Sequence, residues 1–286
     1  MIPSSFDYSA PETISEALKL LAANPAGKLL AGGQSLIPIL KLRLAAPTHL
    51  IDLGRVPDLH FIAEEGEMIR IGAMTTHHQI ETSELLRAKC PLLPKTAASI
   101  GDVQVRNRGT IGGSVAHADP AADYPAALLA LGAKVQLVSA KGKRDLGIGE
   151  FLVDTMTTAL EPGEIVSEIQ VPVEKKGAGV AYRTLVQPAS GFAIAGIGVR
   201  LGVSGGKISF ARVGITGVAS NPYRAEAVEA ALNGKPANAE TFAAAAKLAA
   251  EGVDALSDIH ASADYRAHLA RVETRLALEE AAANAT

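Results

Sequence analysis

The chain is poor in the residues on which dedicated metal, disulfide and nucleic-acid proteins depend. It has one cysteine, Cys90, and no tryptophan, and aromatic residues make up only 4% of its 286 positions. A lone cysteine cannot close an internal disulfide, nor can it supply the thiolates of an iron–sulfur cluster or a cysteine zinc site. Any such metal must belong to a partner. Lysine and arginine number 27 against 30 aspartate and glutamate, for a formal net charge of -3, and no long basic run occurs. The electrostatic stripe and the stacking platform of a nucleic-acid binder are both missing. A phosphate can still be held locally by a few backbone N–H groups whatever the net charge. No apolar stretch reaches the roughly 18 to 20 residues of a bilayer-spanning helix. The opening Met1-Ile2-Pro3-Ser4-Ser5-Phe6-Asp7 has neither the basic nor the apolar region of a secretory signal, so the expected location is the cytoplasm.

What remains is the composition of a globular protein, 48% hydrophobic and 20% charged. The length is near twice that of a usual domain, which points to two domains. Ser9-x-x-Glu12 has capping-box spacing, Pro11 suits a first helical turn, and Ile14, Ala17, Leu18 and Leu21 share one face, which predicts a helix ending at Asn24-Pro25-Ala26-Gly27. A short apolar strand over 28–31, a glycine loop and a helix from Leu36 should follow. Strands are expected near 49–53 and 68–72, and a helix over 76–86 capped by Thr75. The first half therefore alternates helices and strands. A second glycine loop, 108–114, precedes an apolar run at 126–131 and strands near 134–138 and 165–171. Beyond Pro172, Glu174-Lys175-Lys176-Gly177-Ala178-Gly179 reads as a polar link to three alternating segments, 180–186, 192–201 and 207–215. Alternation of this kind predicts an antiparallel sheet, and the Ala- and Glu-rich remainder predicts about three helices. A separate α+β domain should thus begin near residue 175.

The two double-glycine loops, Ala31-Gly32-Gly33-Gln34-Ser35 and Thr110-Ile111-Gly112-Gly113-Ser114, are the most informative local feature. Each sets a glycine pair and a hydroxyl after an apolar segment, so that N–H groups and Ser35, Thr110 or Ser114 could clasp a diphosphate from opposite sides. Two plain tight turns would read the same way. Neither loop has the spacing of an NTPase phosphate loop or of a serine-hydrolase elbow. Gly196-Ile197-Gly198-Val199-Arg200-Leu201-Gly202 resembles a dinucleotide fingerprint but lies inside an alternating pattern, so it reads as strand. His77-His78 and the group His117, Asp119 and Asp123 match no standard metal site. Asp123 could accept from a ribitol or ribose hydroxyl, or cap the helix after Pro125. Arg106 and Arg108 could offset diphosphate charge or form a solvated face. Phe192 could cover a flat ring or lie in the core.

Taken together, these residues resemble the FAD-binding medium subunit of the molybdenum hydroxylases, the xanthine dehydrogenase family, most closely its aerobic carbon monoxide dehydrogenase branch. The likeness runs from Ile2-Pro3-x-x-Phe6-Asp7-Tyr8-x-x-Pro11 through Leu30-Ala31-Gly32-Gly33-Gln34-Ser35-Leu36-Ile37-Pro38 and Arg106-Asn107-Arg108 with the second loop, to Ser262-Ala263-Asp264-Tyr265-Arg266. The resemblance implies an α+β fold. Residues 1–174 would form a vanillyl-alcohol oxidase type (PCMH-type) FAD-binding domain of two α/β subdomains, about 1–55 and 56–174, with FAD between them. Residues 178–286 would form a C-terminal α+β domain of the carbon monoxide dehydrogenase flavoprotein type, a three-stranded antiparallel sheet with a helical bundle.

It also implies a site. Ala31, Gly32, Gly33, Gln34 and Ser35 on one side, and Thr110, Ile111, Gly112, Gly113 and Ser114 on the other, would hold the cofactor's diphosphate, with Lys28 just ahead of the first loop and Leu36 just after it also binding the cofactor. Asp123 would be the acid touching FAD, Leu160 an apolar contact, and Phe192 the neighbour of the isoalloxazine. No residue of this chain needs to act as a general acid or base. The implied partners are a large subunit with a molybdenum cofactor and a small subunit with 2Fe–2S clusters, in a dimer of heterotrimers passing electrons to an external acceptor. Two departures stand out. Ser114 replaces a more frequent Asn, and Gly191-Phe192 stands where some relatives have Asp-Tyr or an acidic pair; FAD binding should survive both, and the acceptor is where the difference would tell. A self-sufficient flavin oxidase or dehydrogenase and a non-redox nucleotide-binding scaffold are the competing readings.

Overall fold

The computed structural model describes residues 1–175 and 177–285. The first unit is a small parallel sheet in which strand His49–Asp52 lies between Asp7–Ser9 and Lys28–Leu30, with helix Ile14–Ala23 packed on it. The predicted helical face is correct: Ala17 is fully buried, and Ile14, Leu18 and Leu21 pack around the same small core. Its start is not. The capping pattern occurs twice in succession, and Ser9 belongs to the first strand, in register with Ile51. The cap is therefore Thr13, whose hydroxyl accepts from the Glu16 N–H at 3.1 Å, while the Glu16 carboxylate accepts from the Glu12 N–H at 3.0 Å. Pro11 precedes the helix.

The second unit carries a five-stranded sheet in the order Ile62–Glu65, Met68–Gly72, Ile165–Pro172, Lys134–Ser139, Gly142–Gly147, every neighbour antiparallel. The alternation expected for the first half thus produces a parallel sheet only in the first unit. The single helix expected over 76–86 is two, His77–Thr82 and Glu84–Lys89. Thr76 caps the first in a full capping box with Gln79, and Ser83 caps the second. The Thr75 hydroxyl donates instead to the Phe61 carbonyl at 3.0 Å. Helices Leu92–Ser99, Val103–Arg106, Ile111–His117 and Tyr124–Leu131 follow.

The third unit is a sheet of three long antiparallel strands, Ala178–Val186, Ala193–Ser204 and Lys207–Thr216, extended by the short strand Tyr223–Arg224. Four strands replace the expected three because the chain after Asn221 pairs for two residues before turning into helix. Helices Glu226–Leu232, Ala239–Ala246 and Ala263–Asn284 complete it, matching the expected three. The fingerprint-like run lies within a strand, as its alternation indicated. Its glycines have a packing role: Gly198 pairs with Gly214, and a Cβ on Gly198 would lie 2.9 Å from Ala127 Cα. The wholly buried helix Tyr124–Leu131 rests its backbone in that trough.

The expected polar link is anchored rather than solvated. Glu174 makes a two-pronged ion pair with Arg200 at 2.7 and 2.8 Å, and its N–H donates to the Lys89 carbonyl at 2.7 Å. Lys176 lies outside the described residues. Val180 and Tyr182, beyond the link, share one apolar core with Ile169 and Tyr124. Among the described residues no helix is long and apolar enough to cross a membrane.

Candidate functional site

The three units enclose a cleft of about 670 Å³, which is within the range of small-molecule sites. Every site residue implied by the sequence lines it except Ile111. The Ile111 side chain is fully buried in the core of the second unit.

The first loop runs from strand Lys28–Leu30 into helix Leu36–Lys41. Gly33 has φ of 76°, a left-handed conformation that glycine adopts without strain. The turn leaves the N–H groups of Gly32, Gly33, Gln34, Ser35 and Leu36 without an acceptor among the described residues. Ser35 stands at the cap position of the helix, yet its hydroxyl makes no capping bond. Successive free N–H groups around a left-handed residue form an anion nest. Lys28 sits exposed at its rim.

The second loop is built for a different task. The Ile111 N–H donates to the Thr75 carbonyl at 3.1 Å and the Gly112 N–H to the Ala73 carbonyl at 2.9 Å. The Gly113 N–H is held by the Thr110 hydroxyl at 3.2 Å and the Ser114 N–H by the Thr110 carbonyl at 3.0 Å. The N–H groups from Ile111 to Ser114 are thus committed to the protein, unlike those of the first loop. Glycine permits two close approaches here: a Cβ on Gly32 of the first loop would lie 2.6 Å from Gly109 Cα, and one on Gly112 would lie 2.7 Å from Ala73 Cα. The second loop is a wall, presenting Gly113 and Ser114 to the cleft.

Asp123 is 5% exposed and stands just before helix Tyr124–Leu131 without capping it. Its Oδ1 instead accepts from the Tyr182 hydroxyl of the third unit at 2.6 Å. Burial pushes its carboxyl up to about 6. Leu160 is half-buried on the cleft wall. Phe192 is 42% exposed, so it does not belong to the core, and it closes a tight turn in which the Gln187 N–H donates to its carbonyl at 2.8 Å.

Arg106 takes neither of the roles considered for it. Its guanidinium pairs with Glu81 at 2.9 Å and donates to the carbonyls of Ile100 and Gly101 at 3.2 and 3.1 Å. Arg108 is exposed. His77, by contrast, enters the site unannounced. Its imidazole is buried at the cleft wall, tilted against the Tyr124 ring with centroids 5.3 Å apart, and its Nδ1 has no partner among the described residues. Burial, with the nearby Arg106 charge, lowers it to about 4, so the ring is neutral. The sequence held a weak signal for this, since His77 and Ile80 are three apart on one helical face while His78 points outward.

The cleft thus gathers the free N–H groups of the first loop, the buried Asp123 carboxyl, and the apolar side chains of Leu160 and Phe192. Residues 4–174 match the FAD binding domain in molybdopterin dehydrogenase, and residues 180–281 match the CO dehydrogenase flavoprotein C-terminal domain. The carbon monoxide dehydrogenase medium chain of Hydrogenophaga pseudoflava is 40% identical over 98% of each chain. That of Afipia carboxidovorans is 41% identical over 100% of this chain and 99% of the other. A solved carbon monoxide dehydrogenase from Hydrogenophaga pseudoflava, lacking the Mo-pyranopterin moiety of its cofactor, superposes with a TM-score of 0.97 at 42% identity, covering 100% of both chains. The chain belongs to the family of FAD-binding medium subunits of the molybdenum hydroxylases.

Proposed function

We propose that this chain is the FAD-binding electron-transfer subunit of a molybdenum hydroxylase complex of the carbon monoxide dehydrogenase or xanthine dehydrogenase kind. The observation that carries the reading is the row of free N–H groups from Gly32 to Leu36, which faces the cleft and suits a diphosphate. The donor set fits FAD: the nest and the Ser35 hydroxyl for the diphosphate, Asp123 for a sugar-alcohol hydroxyl, and Leu160 and Phe192 for the ring. When bound, FAD supplies the redox chemistry, accepting electrons from 2Fe–2S clusters of a small partner and passing them to an external acceptor. The chain's own residues bind and orient it. Its second loop walls one side of the cleft, and the neutral His77 ring lines that wall.

Finer readings rest on the same grounds. Residues 1–174 form a vanillyl-alcohol oxidase type domain with subdomains of about 1–55 and 56–174, and residues 178–286 a second domain. A large molybdenum-cofactor subunit oxidises the substrate, the assembly is a dimer of heterotrimers, and it works in the cytoplasm. Ser114 and Phe192 tune the site without preventing FAD binding.

The test is the visible spectrum of the chain purified gently from its native host. Flavin absorption overlaid with iron–sulfur absorption supports the relay. Flavin reduced by substrate in the isolated chain would instead establish a self-sufficient enzyme, and a colourless protein that takes up no added FAD would overturn the flavoprotein reading.

A further inference from the structure

The carboxylate in the cleft is held from across the domain boundary. Tyr182, 8% exposed on strand Ala178–Val186, donates to Asp123 Oδ1 at 2.6 Å, and no donor from another residue reaches the second oxygen among the described residues. An aspartate before a helix ordinarily accepts from the first-turn N–H groups, but this one is turned away from them. The turn that carries it is gripped by the same third unit. The Thr216 hydroxyl lies 2.8 Å from the carbonyls of Pro120 and Ala122, the Gly217 N–H donates to Pro120 at 2.7 Å, and the Ala193 N–H donates to Ala121 at 3.2 Å. Space for the phenol is built in as well: a Cβ on Gly196 would lie 2.6 Å from the Tyr182 oxygen.

We propose that Tyr182 is a positioning residue of the cofactor site, its hydroxyl fixing the Asp123 carboxylate so that the free oxygen accepts from a sugar-alcohol hydroxyl of FAD. This rests on the FAD-binding reading. It makes the C-terminal domain part of the binding machinery although its own residues, Phe192 and its turn apart, scarcely line the cleft. The groups around Asp123 are few. Tyr124 adjoins it in the chain, with neutral His77 beyond and the Arg106–Glu81 pair behind; His117 and Asp119 share the cleft. Burial raises the Asp123 carboxyl, and the Tyr182 hydroxyl opposes that rise.

The experiment titrates FAD into the full-length apoprotein by flavin fluorescence from roughly pH 5 to roughly pH 8, for wild type, Tyr182→Phe, Asp123→Asn and the double variant. Wild type should lose affinity as pH falls through about 6. In Tyr182→Phe that loss should begin at higher pH, with affinity near neutrality down roughly three- to tenfold. Asp123→Asn should bind with little pH dependence, and adding Tyr182→Phe to it should leave that flat profile flat, because no carboxyl remains whose charge the hydroxyl can stabilise. An unmoved pH midpoint in Tyr182→Phe, or the same pH-dependent loss when Tyr182→Phe is added to Asp123→Asn, overturns the inference while leaving FAD binding intact. Failure of wild type to bind FAD at any pH overturns the underlying reading and the inference with it.

Discussion

The two glycine loops look alike in sequence and do opposite work. Ala31-Gly32-Gly33-Gln34-Ser35 leaves the N–H groups from Gly32 on open to the cleft, whereas in Thr110-Ile111-Gly112-Gly113-Ser114 those from Ile111 on are given to Ala73, Thr75 and Thr110. In the first loop, left-handed Gly33 shapes a nest; in the second, glycine removes a side chain where Ala73 must pass. A Gly-Gly pair beside a hydroxyl therefore does not by itself mark a phosphate site. What separates a binding loop from a bracing loop is whether carbonyls elsewhere in the chain have already claimed the donors.

The harshest way to break this contrast is to put a side chain into the brace. Gly112→Val places atoms against Ala73, whose Cα would lie 2.7 Å from the new Cβ. Backbone cannot swing aside as a flexible side chain can, so the apoprotein should lose on the order of 3 kcal/mol or more. Thermal melts of the apoprotein check this. Gly33→Val should behave differently. Its Cβ would meet side-chain atoms alone, Ile37 Cγ1 at 3.0 Å and Leu30 Cδ1 at 3.4 Å, but its φ of 76° costs a branched residue roughly 1 to 2 kcal/mol. Relief of that strain rotates the nest, so FAD retention should fall by about a hundredfold or more while the fold survives. Equal damage to folding by both variants would erase the distinction between the loops.

That distinction was only half legible in the sequence. The loops themselves, the strand before the first and the helix after it could be read from glycine punctuation and apolar runs, and so could the antiparallel character of the third unit. The partners that commit the second loop could not. Ala73 and Thr75 lie far back in the chain, and nothing in the pattern of Thr110 to Ser114 reveals that they will dock there, so the sequence offers no reason to separate Ile111 from its neighbours in the site. Likewise the Tyr182 hydroxyl meets Asp123 only because helix Tyr124–Leu131 lies in the trough of Gly198 and Gly214. The second unit's edge strand Gly142–Gly147 escaped notice because its residues, largely polar or glycine, lack clear alternation.

Titration sharpens the comparison from the side of the brace. His77 donates its backbone N–H to the Gly109 carbonyl at 3.0 Å, and its ring occupies the space a Gly109 side chain would need. With a native value of about 4 against 6.5, the folded protein binds fewer protons than the unfolded chain in that window, so its contribution to stability is lost as pH falls from 6.5 to 4. Asp123 runs the other way. Raised from 3.8 to about 6, it holds a proton that the unfolded chain has released, so the folded protein loses stability as pH rises through that range. Asp123→Asn should therefore stabilise the apoprotein near neutrality by on the order of 2 to 3 kcal/mol and have little effect near pH 4. Denaturant melts at the two pH values decide this, and His77→Gln should flatten the opposing acid limb.

The smallest effects give the cleanest contrast, because they remove one hydroxyl from each loop. The Thr110 hydroxyl accepts from the Gly113 N–H and so caps helix Ile111–His117; Thr110→Ala should cost about 1 kcal/mol of apoprotein stability. With the wall still in place, FAD affinity should change less than about threefold, which is under 1 kcal/mol. The Ser35 hydroxyl caps nothing, so Ser35→Ala should leave the melting temperature of the apoprotein where it was. Its loss should instead appear in FAD binding, roughly five- to tenfold, as expected for one hydrogen bond to a charged oxygen. Paired melts and FAD titrations of these two variants should thus cross over, stability falling in one and affinity in the other. If Ser35→Ala lowers stability and spares affinity, the first loop is a brace too and the nest has no ligand.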